Sequence, residues 1–289
     1  MAAAGGVVLE ERPAPGEAPP EEAATPRVDA LVLAGGRTEP DMARLTGTCV
    51  RALFPYQGKP FVQWVFEALR ASTCVERIAI VGPEELAENP VLATADLLVP
   101  EADSIEANLF GALARLLPQG RVLVTASDKP LLEAHAVEDF VRRAPVHAAV
   151  AYPILRHQAF LHKFPRAANI AVTLRDGAYI GGDCVLLNSR SIPRLQRTIQ
   201  QVLWARKDRS RLLSLLGWRF ALRFKMRRVS SQELEERLSE IAGLSVRFVR
   251  DSSPVFAIDI DDAEDWRYLQ WWSASGGGLT SGWHQPGLE

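Results

Sequence analysis

Two short segments place groups capable of phosphate chemistry where a buried strand is expected to end. The Leu-Ala-Gly-Gly-Arg segment at residues 33–37 follows a run of small and β-branched apolar residues, a pattern typical of a strand that enters a turn. Because glycine has no Cβ, neighbouring N–H groups in such a turn can converge on an anion, and Arg37 adds charge beside them. A plain strand-to-loop turn is the alternative. The second segment, Ser-Asp-Lys-Pro at residues 127–130, places a carboxylate after another apolar run.

The composition is that of an ordinary globular protein. The chain has 289 residues, of which 47% are hydrophobic and 24% charged, enough for one large α/β domain or two small ones. The formal net charge of -2 gives no general attraction to nucleic acid. Cys49, Cys74 and Cys184 match neither a disulfide framework nor a zinc pattern, and no signal peptide or bilayer-spanning run is found. We therefore expect a cytoplasmic protein with reduced thiols.

Strands alternate with helices along the chain, and each strand is nearly continuous in apolar residues. This pattern predicts a Rossmann-like α/β fold, with a mostly parallel mixed sheet sandwiched by helices. Ligands in such folds bind at the carboxyl ends of the strands, where both segments fall. We expect a disordered tail at residues 1–27, one domain at 28–272 with a helical insert at about 190–250, and a flexible tail at 273–289.

The individual elements follow from apolar spacing and from turn residues. Residues 37–50 are predicted as a polar loop, and residues 51–60 as a short strand followed by a Gly-Lys-Pro turn. Ser104 is positioned to cap a helix. Further strands are predicted at residues 77–83, 96–100, 121–126, 148–154, 170–174, 184–188, 245–250 and 255–260, and helices at 61–71, 84–93, 105–117, 191–216 and 231–242.

Four separated motifs resemble those of one family. They are Leu-Ala-Gly-Gly at 33–36, Arg-Ala-Leu-Phe-Pro with Gly-Lys-Pro at 51–60, Ser-Asp-Lys-Pro-Leu-Leu at 127–132, and Asp-Ile-Asp-Asp-Ala-Glu-Asp-Trp at 259–266. In this order and spacing they resemble the MobA-like nucleotidyltransferases, which have the GT-A type of fold. The resemblance covers about residues 28–270.

The resemblance implies transfer of a nucleoside monophosphate from an NTP to a phosphorylated small-molecule acceptor, with Mg²⁺ and release of pyrophosphate. In-line attack on the α-phosphate requires a divalent cation, backbone N–H donors and a basic side chain. Magnesium prefers oxygen ligands, usually one or two carboxylates with phosphates and water. We therefore expect Asp128 and Asp261 to bind the metal. The alternatives are a helix N-cap for Asp128, and Asp259 in place of Asp261.

The same motifs supply the other candidate residues. Arg37, Arg51 and Asp128 are the expected catalytic residues, although the family usually has lysine where Arg51 stands. The loop after Gly36 and the Asp-Ala pair at 262–263 also depart from the family pattern. A degenerate module that binds nucleotide without transferring it is the alternative function. The expected nucleotide-binding residues are Leu33, Ala34, Gly35, Gly36, Arg37, Arg51 and Asn108, and the expected acceptor-binding residues are Lys163, Gly181, Gly182 and Asp183.

Each of these assignments has a plainer alternative. Asn108 is equally typical of an exposed helix position, the glycine pair at 181–182 of an ordinary turn, and Lys163 of a solvated loop. Residues 218–228 mix aromatic and basic side chains, which predicts an amphipathic helix with its aromatics on the core and its arginines in water. Contact with an anionic membrane or a lipid-linked substrate is the alternative.

Two further predictions concern specificity. A glycosyltransferase that uses a nucleotide sugar shares the fold, but it normally carries Asp-x-Asp after a mid-sheet strand, and here that pattern occurs late, at residues 259–261. The insert at 190–250 disfavours molybdopterin as the acceptor. Nothing in the sequence indicates an oligomeric state, the base of the NTP or the acceptor.

Overall fold

Eleven strands lie in the part of the chain that the computed structural model describes, residues 26–205 and 217–277. Most of the two predicted tails and residues 206–216 of the predicted insert lie outside the described residues. The strands are β1 (Val28–Leu33), β2 (Pro55–Tyr56), β3 (Lys59–Pro60), β4 (Val75–Gly82), β5 (Leu97–Pro100), β6 (Arg121–Ala126), β7 (Val150–Arg156), β8 (Val172–Leu174), β9 (Gly177–Gly181), β10 (Cys184–Asn188) and β11 (Val246–Val249).

The main sheet has the mixed, mostly parallel character predicted from the sequence. Its order is β5-β4-β1-β6-β10-β7-β9-β8, and β11 pairs with β7. Strands β4, β5 and β6 run parallel to β1 or its neighbours, whereas β10 is antiparallel to both β6 and β7. The carboxyl ends of β1 and β6 and the amino end of β10 therefore meet at one edge of the sheet.

Side-chain alternation along each strand gives the sheet two apolar faces. In β1, Ala30 and Val32 pack into one core cluster, whereas Leu31 packs into a second. Successive side chains on a strand point to opposite faces, so this central strand is buried on both sides. All three residues are fully buried.

Helices cover both faces of the sheet. Within the described residues these are α1 (Pro40–Thr46), α2 (Phe61–Ala71), α3 (Ile105–Leu116), α4 (Ala134–Arg143), α5 (His157–Lys163), α6 (Ile192–Ala205), α7 (Trp218–Lys225), α8 (Ser231–Ala242) and α9 (Ala263–Ala274). Helices α2, α4, α5 and α9 pack on the face that includes Val32. Helices α3 and α6 pack on the face that includes Leu31. None of the helices in the described ranges is long and apolar enough to cross a membrane.

Three of the element predictions near the site are wrong. The predicted loop at 37–50 contains α1, which begins with Pro40 at its first turn and ends at Gly47 in the left-handed conformation. The predicted strand at the start of 51–60 is a 3₁₀ turn, Arg51–Leu53, followed by the hairpin of β2 and β3. The hairpin turn has Gln57 and Gly58 at positive φ, which suits a tight two-residue connection.

The third error is the predicted strand at 255–260, where the structure has the 3₁₀ turn Pro254–Ala257 and irregular backbone. Its carbonyl groups accept hydrogen bonds from loop residues and not from a neighbouring strand. Phe256 O accepts from the Asp183 N–H, and Ala257 O accepts from the Asn169 side chain. The apolar run is buried without pairing, which periodicity alone cannot distinguish from a strand. Similarly, the helix predicted at 84–93 is two 3₁₀ turns, Glu84–Glu88 and Leu92–Thr94.

The aromatic and basic segment at 218–228 forms a helix, α7, as predicted. Phe224 packs against the apolar cluster that contains Leu174 and Tyr179. Trp218, however, is 71% exposed, so the prediction that the aromatics lie on the core is confirmed for Phe224 and wrong for Trp218.

Replacing Glu233 with Gln tests the capping box that starts α8. The Glu233 carboxylate accepts from the Ser230 backbone N–H and pairs with Arg223, and these contacts lower the pKa of Glu233 to about 2. Because an unfolded Glu titrates near pH 4.3, this stabilisation is complete above that pH and is lost as the pH falls toward 2. We expect Glu233→Gln to be less stable at pH 7, with the difference from wild type vanishing near pH 2. Urea denaturation between pH 2 and 7 measures it; a constant difference contradicts the assignment.

Candidate active site

A cavity of about 440 Å³ lies at the sheet edge where β1 and β6 end and β10 begins. It brings together most of the residues predicted from the sequence. In the described part of the chain, the predicted residues that line it are Leu33, Gly35, Gly36, Arg51, Asn108, Asp128, Asp183 and Asp261. Asp259, weighed above as the alternative to Asp261, also lines it.

The glycine turn is fixed by the two strands beside β1. The Ala34 N–H donates to Val81 O at 2.7 Å, and the Ser127 N–H donates to Leu33 O at 3.1 Å. A Cβ on Gly35 would approach the Glu101 carboxylate to 2.6 Å, whereas a Cβ on Gly36 would meet only Arg51 at ordinary contact distance. A side chain at position 35 would thus displace the Glu101 carboxylate, whereas Gly36 leaves open space on the cavity side.

Arg51 connects the glycine turn with two carboxylates. Its backbone N–H donates to Gly36 O at 3.0 Å. Its guanidinium donates to Asp128 at 3.3 Å and also to Asp261. Arg51 Nε and Asp128 Oδ1 are buried without a hydrogen-bond partner, so each has capacity to bind a further group.

Asp128 lies deep in the cavity and does not cap a helix. Helix α4 begins at Ala134, with Glu133 at its N-cap, so the alternative prediction for Asp128 is wrong. The side chain belongs to a residue only 8% exposed, and burial raises the pKa of the Asp128 carboxyl, assisted by the charge of Asp261.

Asp261 is positioned by the start of α9. Asp262 caps the helix, accepting from the backbone N–H groups of Glu264 and Asp265, and Asp265 accepts in return from those of Asp261 and Asp262. This reciprocal capping box fixes the backbone just before the helix. The Asp261 side chain is 52% exposed at the cavity. Asp259 is more buried, and burial raises its pKa to about 7.

Lys129 is the one group in this cluster that the sequence reasoning missed as a site residue. It is fully buried, and its ammonium donates to Asp183 at 3.0 Å. Burial by itself lowers the pKa of Lys129, but the charges of Asp183, Asp128 and Asp259 outweigh burial and raise it. The available signal was its place in the sequence, directly after Asp128 and before Pro130, in the same strand-end turn.

Other predicted residues lie beside the cavity and do not line it. Arg37 forms a two-pronged ion pair with Glu101 and donates to Gly35 O at 3.1 Å, which places it at the rim. Ala34 is buried under the turn. Gly181 and Gly182 connect β9 to Asp183, with Gly182 packed against Phe256 and Pro153.

Lys163 is also separate from this cavity. At the end of α5, its ammonium lies 3.8 Å from the Glu133 carboxylate.

Asn108 lines the cavity, with its side-chain oxygen accepting from the Ala102 N–H at 2.5 Å. Its amide nitrogen remains beside Gly35.

The cavity carries more negative than positive charge. Asp128, Asp183, Asp259 and Asp261 face two cationic side chains, Arg51 and Lys129. Among the described residues, no group of three or more His, Cys, Asp or Glu side chains is arranged to hold a metal ion by itself. A cation bound here would therefore share its coordination with a ligand.

The family model of the MobA-like NTP transferase domain matches residues 30–238. The chain belongs to this family. The match includes the glycine turn, Arg51 and Asp128, and it identifies the protein as a nucleotidyltransferase of the α/β, Rossmann-like type predicted from its motifs.

Solved structures agree with the family assignment. A hypothetical transferase from Thermus thermophilus is 33% identical, with a TM-score of 0.75, over 83% of this chain and 99% of that one. Two more distant structures share the fold. The 4-diphosphocytidyl-2C-methyl-D-erythritol synthase from Anaerococcus prevotii is 12% identical, with a TM-score of 0.53, over 86% of this chain and 97% of that one. A CMP:2-keto-3-deoxy-manno-octonic acid synthetase complexed with CTP is 13% identical, with a TM-score of 0.51, over 87% of this chain and 99% of that one. A search of curated protein sequences found no match.

The two glycines of the turn allow a matched comparison. In Gly36→Ala the new methyl group meets no protein atom closely but projects into the cavity, so we expect unchanged thermal stability and about tenfold weaker NTP binding. In Gly35→Ala the methyl group displaces the Glu101 carboxylate from its pair with Arg37, so we expect a slightly lower melting temperature. Calorimetric titration with each NTP and thermal melts measure both effects. Equal NTP affinity in Gly36→Ala and wild type would contradict a phosphate position over this turn.

Lys129→Met tests whether the buried ammonium neutralises the carboxylates around it. The change preserves the apolar stem but leaves Asp183, Asp128 and Asp259 without this cation, and we expect a loss of about 3 kcal/mol in the free energy of unfolding. The control is Lys129→Met combined with Asp183→Asn, which removes one repelling charge and is expected to recover part of the loss. Urea denaturation measures both variants. A single variant as stable as wild type would show that the ammonium is dispensable.

Proposed function

We propose that the protein catalyses Mg²⁺-dependent transfer of a nucleoside monophosphate from an NTP to a phosphorylated small-molecule acceptor, with release of pyrophosphate. The observation that carries the proposal is the shared cavity: the Gly35–Gly36 backbone, Arg51 and the Asp128 and Asp261 carboxylates all face the same space. A cytoplasmic location, inferred from the sequence, is part of the proposal.

The residues present fit a magnesium ion bound together with a nucleotide. Asp128 and Asp261 would hold it, because they are close enough to share one guanidinium and Asp128 Oδ1 has no hydrogen-bond partner. Two carboxylates suffice, since magnesium is usually completed by substrate phosphates and water. The excess of carboxylates over cationic side chains also favours a divalent cation. When bound, magnesium neutralises charge on the reacting phosphoryl oxygens and on the pyrophosphate.

The chain's own groups are proposed to orient the triphosphate. The open space over Gly36 allows phosphate oxygens to approach backbone N–H groups. Arg51 Nε is buried and unpartnered, so the guanidinium has a donor left for a phosphate oxygen while it contacts the two carboxylates. Arg37 lies at the rim and would bind phosphate by exchanging its Glu101 partner.

The acceptor is proposed to enter from the Asp183 side, opposite Asn108. An oxygen of the acceptor phosphate attacks the α-phosphorus of the NTP, and the bond from that phosphorus to pyrophosphate breaks. A phosphate monoester is largely dianionic at neutral pH, so its oxygen needs no general base. Fixed donors that neutralise the developing charge then carry most of the catalysis.

The direct test is pyrophosphate release from each of the four NTPs with Mg²⁺, measured against a panel of phosphorylated acceptors and without acceptor. We expect release that requires both Mg²⁺ and one class of acceptor, with the nucleotidylated product detected by mass spectrometry. NTP binding without acceptor-dependent release across the panel would count against transfer to a phosphorylated acceptor.

Asp128→Asn separates catalysis from folding. A buried carboxylate without full hydrogen bonding is costly, and Asn removes its charge, so we expect a melting temperature without Mg²⁺ equal to or above that of wild type. Transfer should fall at least about a hundredfold, because a metal ligand is lost. Steady-state pyrophosphate release and thermal melts with and without Mg²⁺ measure this. Near-normal transfer in the folded variant would exclude Asp128 as the ligand.

A further inference from the structure

A second cavity, of about 460 Å³, lies between the sheet and α8, beside α6. Its lining is almost entirely apolar. From the sheet it includes Ile154, Leu174 and Phe248, and from α8 it includes Leu234, Leu238 and Ile241. The α8 residues are three or four positions apart, so a whole face of this helix is turned toward the cavity.

The cavity is too large and too open to be a packing defect. Protein interiors contain few voids larger than a water molecule, whereas small-molecule sites occupy roughly 300–1,000 Å³. Leu234, Leu238 and Ile241 face the sheet but are only half-buried, because the described residues leave the space between this helix and the sheet unfilled. Leaving this apolar surface in water is unfavourable, and an apolar ligand would remove the cost.

The apolar cavity adjoins the nucleotide cavity. Gly181 lines the apolar cavity, and Asp183, two residues later, lines the nucleotide cavity. Two residues of extended chain span at most about 7 Å. Gly181 also lies against the Tyr152 ring, so close that a Cβ would come within 2.4 Å of the Tyr152 hydroxyl oxygen. The Tyr152 ring therefore stands at the boundary between the apolar space and the proposed acceptor side.

We propose that the acceptor carries a hydrocarbon group, and that the apolar cavity binds this group while the acceptor phosphate reaches the Asp183 side of the nucleotide cavity. The proposal rests on the proposed function and names the substrate class for it: a phosphorylated amphiphile. The phosphate of this amphiphile would bind in the nucleotide cavity, and its hydrocarbon group would pack against the face of α8.

The surface beside the cavity suits the same class of molecule. Phe224 of α7 packs in the apolar cluster that borders the cavity. The outside of α7 carries apolar side chains at every fourth position. They are Trp218, Leu222 and, at the C-cap, Met226, which are 71%, 49% and 45% exposed. Arginines at 219 and 223 alternate with them. Arg223 is paired with Glu233, so it is the exposed apolar stripe that supports the proposal, because it would extend the surface open to a hydrocarbon group.

The experiment measures binding of n-alkyl monophosphates (ethyl, butyl, hexyl and octyl, below their micelle concentrations) to the full chain by isothermal titration calorimetry. If the cavity receives the alkyl chain, affinity should rise by about fourfold per added methylene, the equivalent of about 0.8 kcal/mol. NTP binding is measured on the same preparation. An affinity independent of chain length, with NTP binding intact, would overturn this inference and leave the proposed function standing.

Two variants locate the effect. Leu238→Trp fills the cavity from α8 and should abolish the gain with chain length, whereas Glu236→Trp places the same ring on the exposed side of α8 and should preserve it. Ile241→Phe is a second filling variant in case Leu238→Trp does not fold. NTP affinity should be equal in all folded variants. Equal chain-length dependence in filled and control variants would place the alkyl group elsewhere and overturn the proposal.

Two other outcomes are distinguishable. Failure of the wild-type chain to bind any NTP would contradict the proposed function itself. In the other outcome, affinity does not change with alkyl chain length in wild type but rises with it when the leucines at 212, 213, 215 and 216 are changed to serine. This result would assign the cavity to residues 212–216 of the chain itself and would overturn the inference.

Discussion

The shared contact of the Arg51 guanidinium with Asp128 and Asp261 is the interaction on which the site depends. It joins three segments that lie far apart in the chain: the 3₁₀ turn that begins at Arg51, the end of β6 and the start of α9. Removing the guanidinium would leave carboxylates close together in a partly buried cavity, where their repulsion is weakly screened. The same concentration of carboxylates would favour the proposed cation, and a polyphosphate could bind these carboxylates through it.

Lys129 extends this balance beneath the cavity. Its ammonium is buried completely, and it pairs with Asp183. Arg51 and Lys129 thus both neutralise charge within the carboxylate cluster, Arg51 at Asp128 and Asp261 and Lys129 at Asp183. The capping box of α9 completes the arrangement, since it fixes the backbone from which Asp261 projects. Positioning of the acidic residues therefore depends on ordinary helix and strand ends.

The two cavities divide the sheet edge according to their chemistry. Near β1 and β6 the walls are backbone and carboxylate, as a triphosphate requires. Beyond Gly181 the walls are leucine, isoleucine and phenylalanine, as an apolar group requires. Strands β9 and β10 are separated only by the short turn containing Gly182 and Asp183, so a single turn forms the border. If the apolar cavity binds part of the acceptor, as proposed, substitutions in α8 would change substrate choice without altering the nucleotide cavity.

The sequence by itself determined the strand and helix alternation, the glycine turn and the position of Asp128 after β6, because these depend on local periodicity and on where strands end. It therefore predicted the sheet, the family and a cavity containing Gly36, Asp128 and Asp261. It did not determine that residues 255–260 bury their apolar side chains without strand pairing, that Lys129 turns under the cavity, or that Arg37 is bound by Glu101. Only the tertiary structure decided these, because each depends on a partner more than fifty residues away, or on which polar group is left to satisfy a buried one.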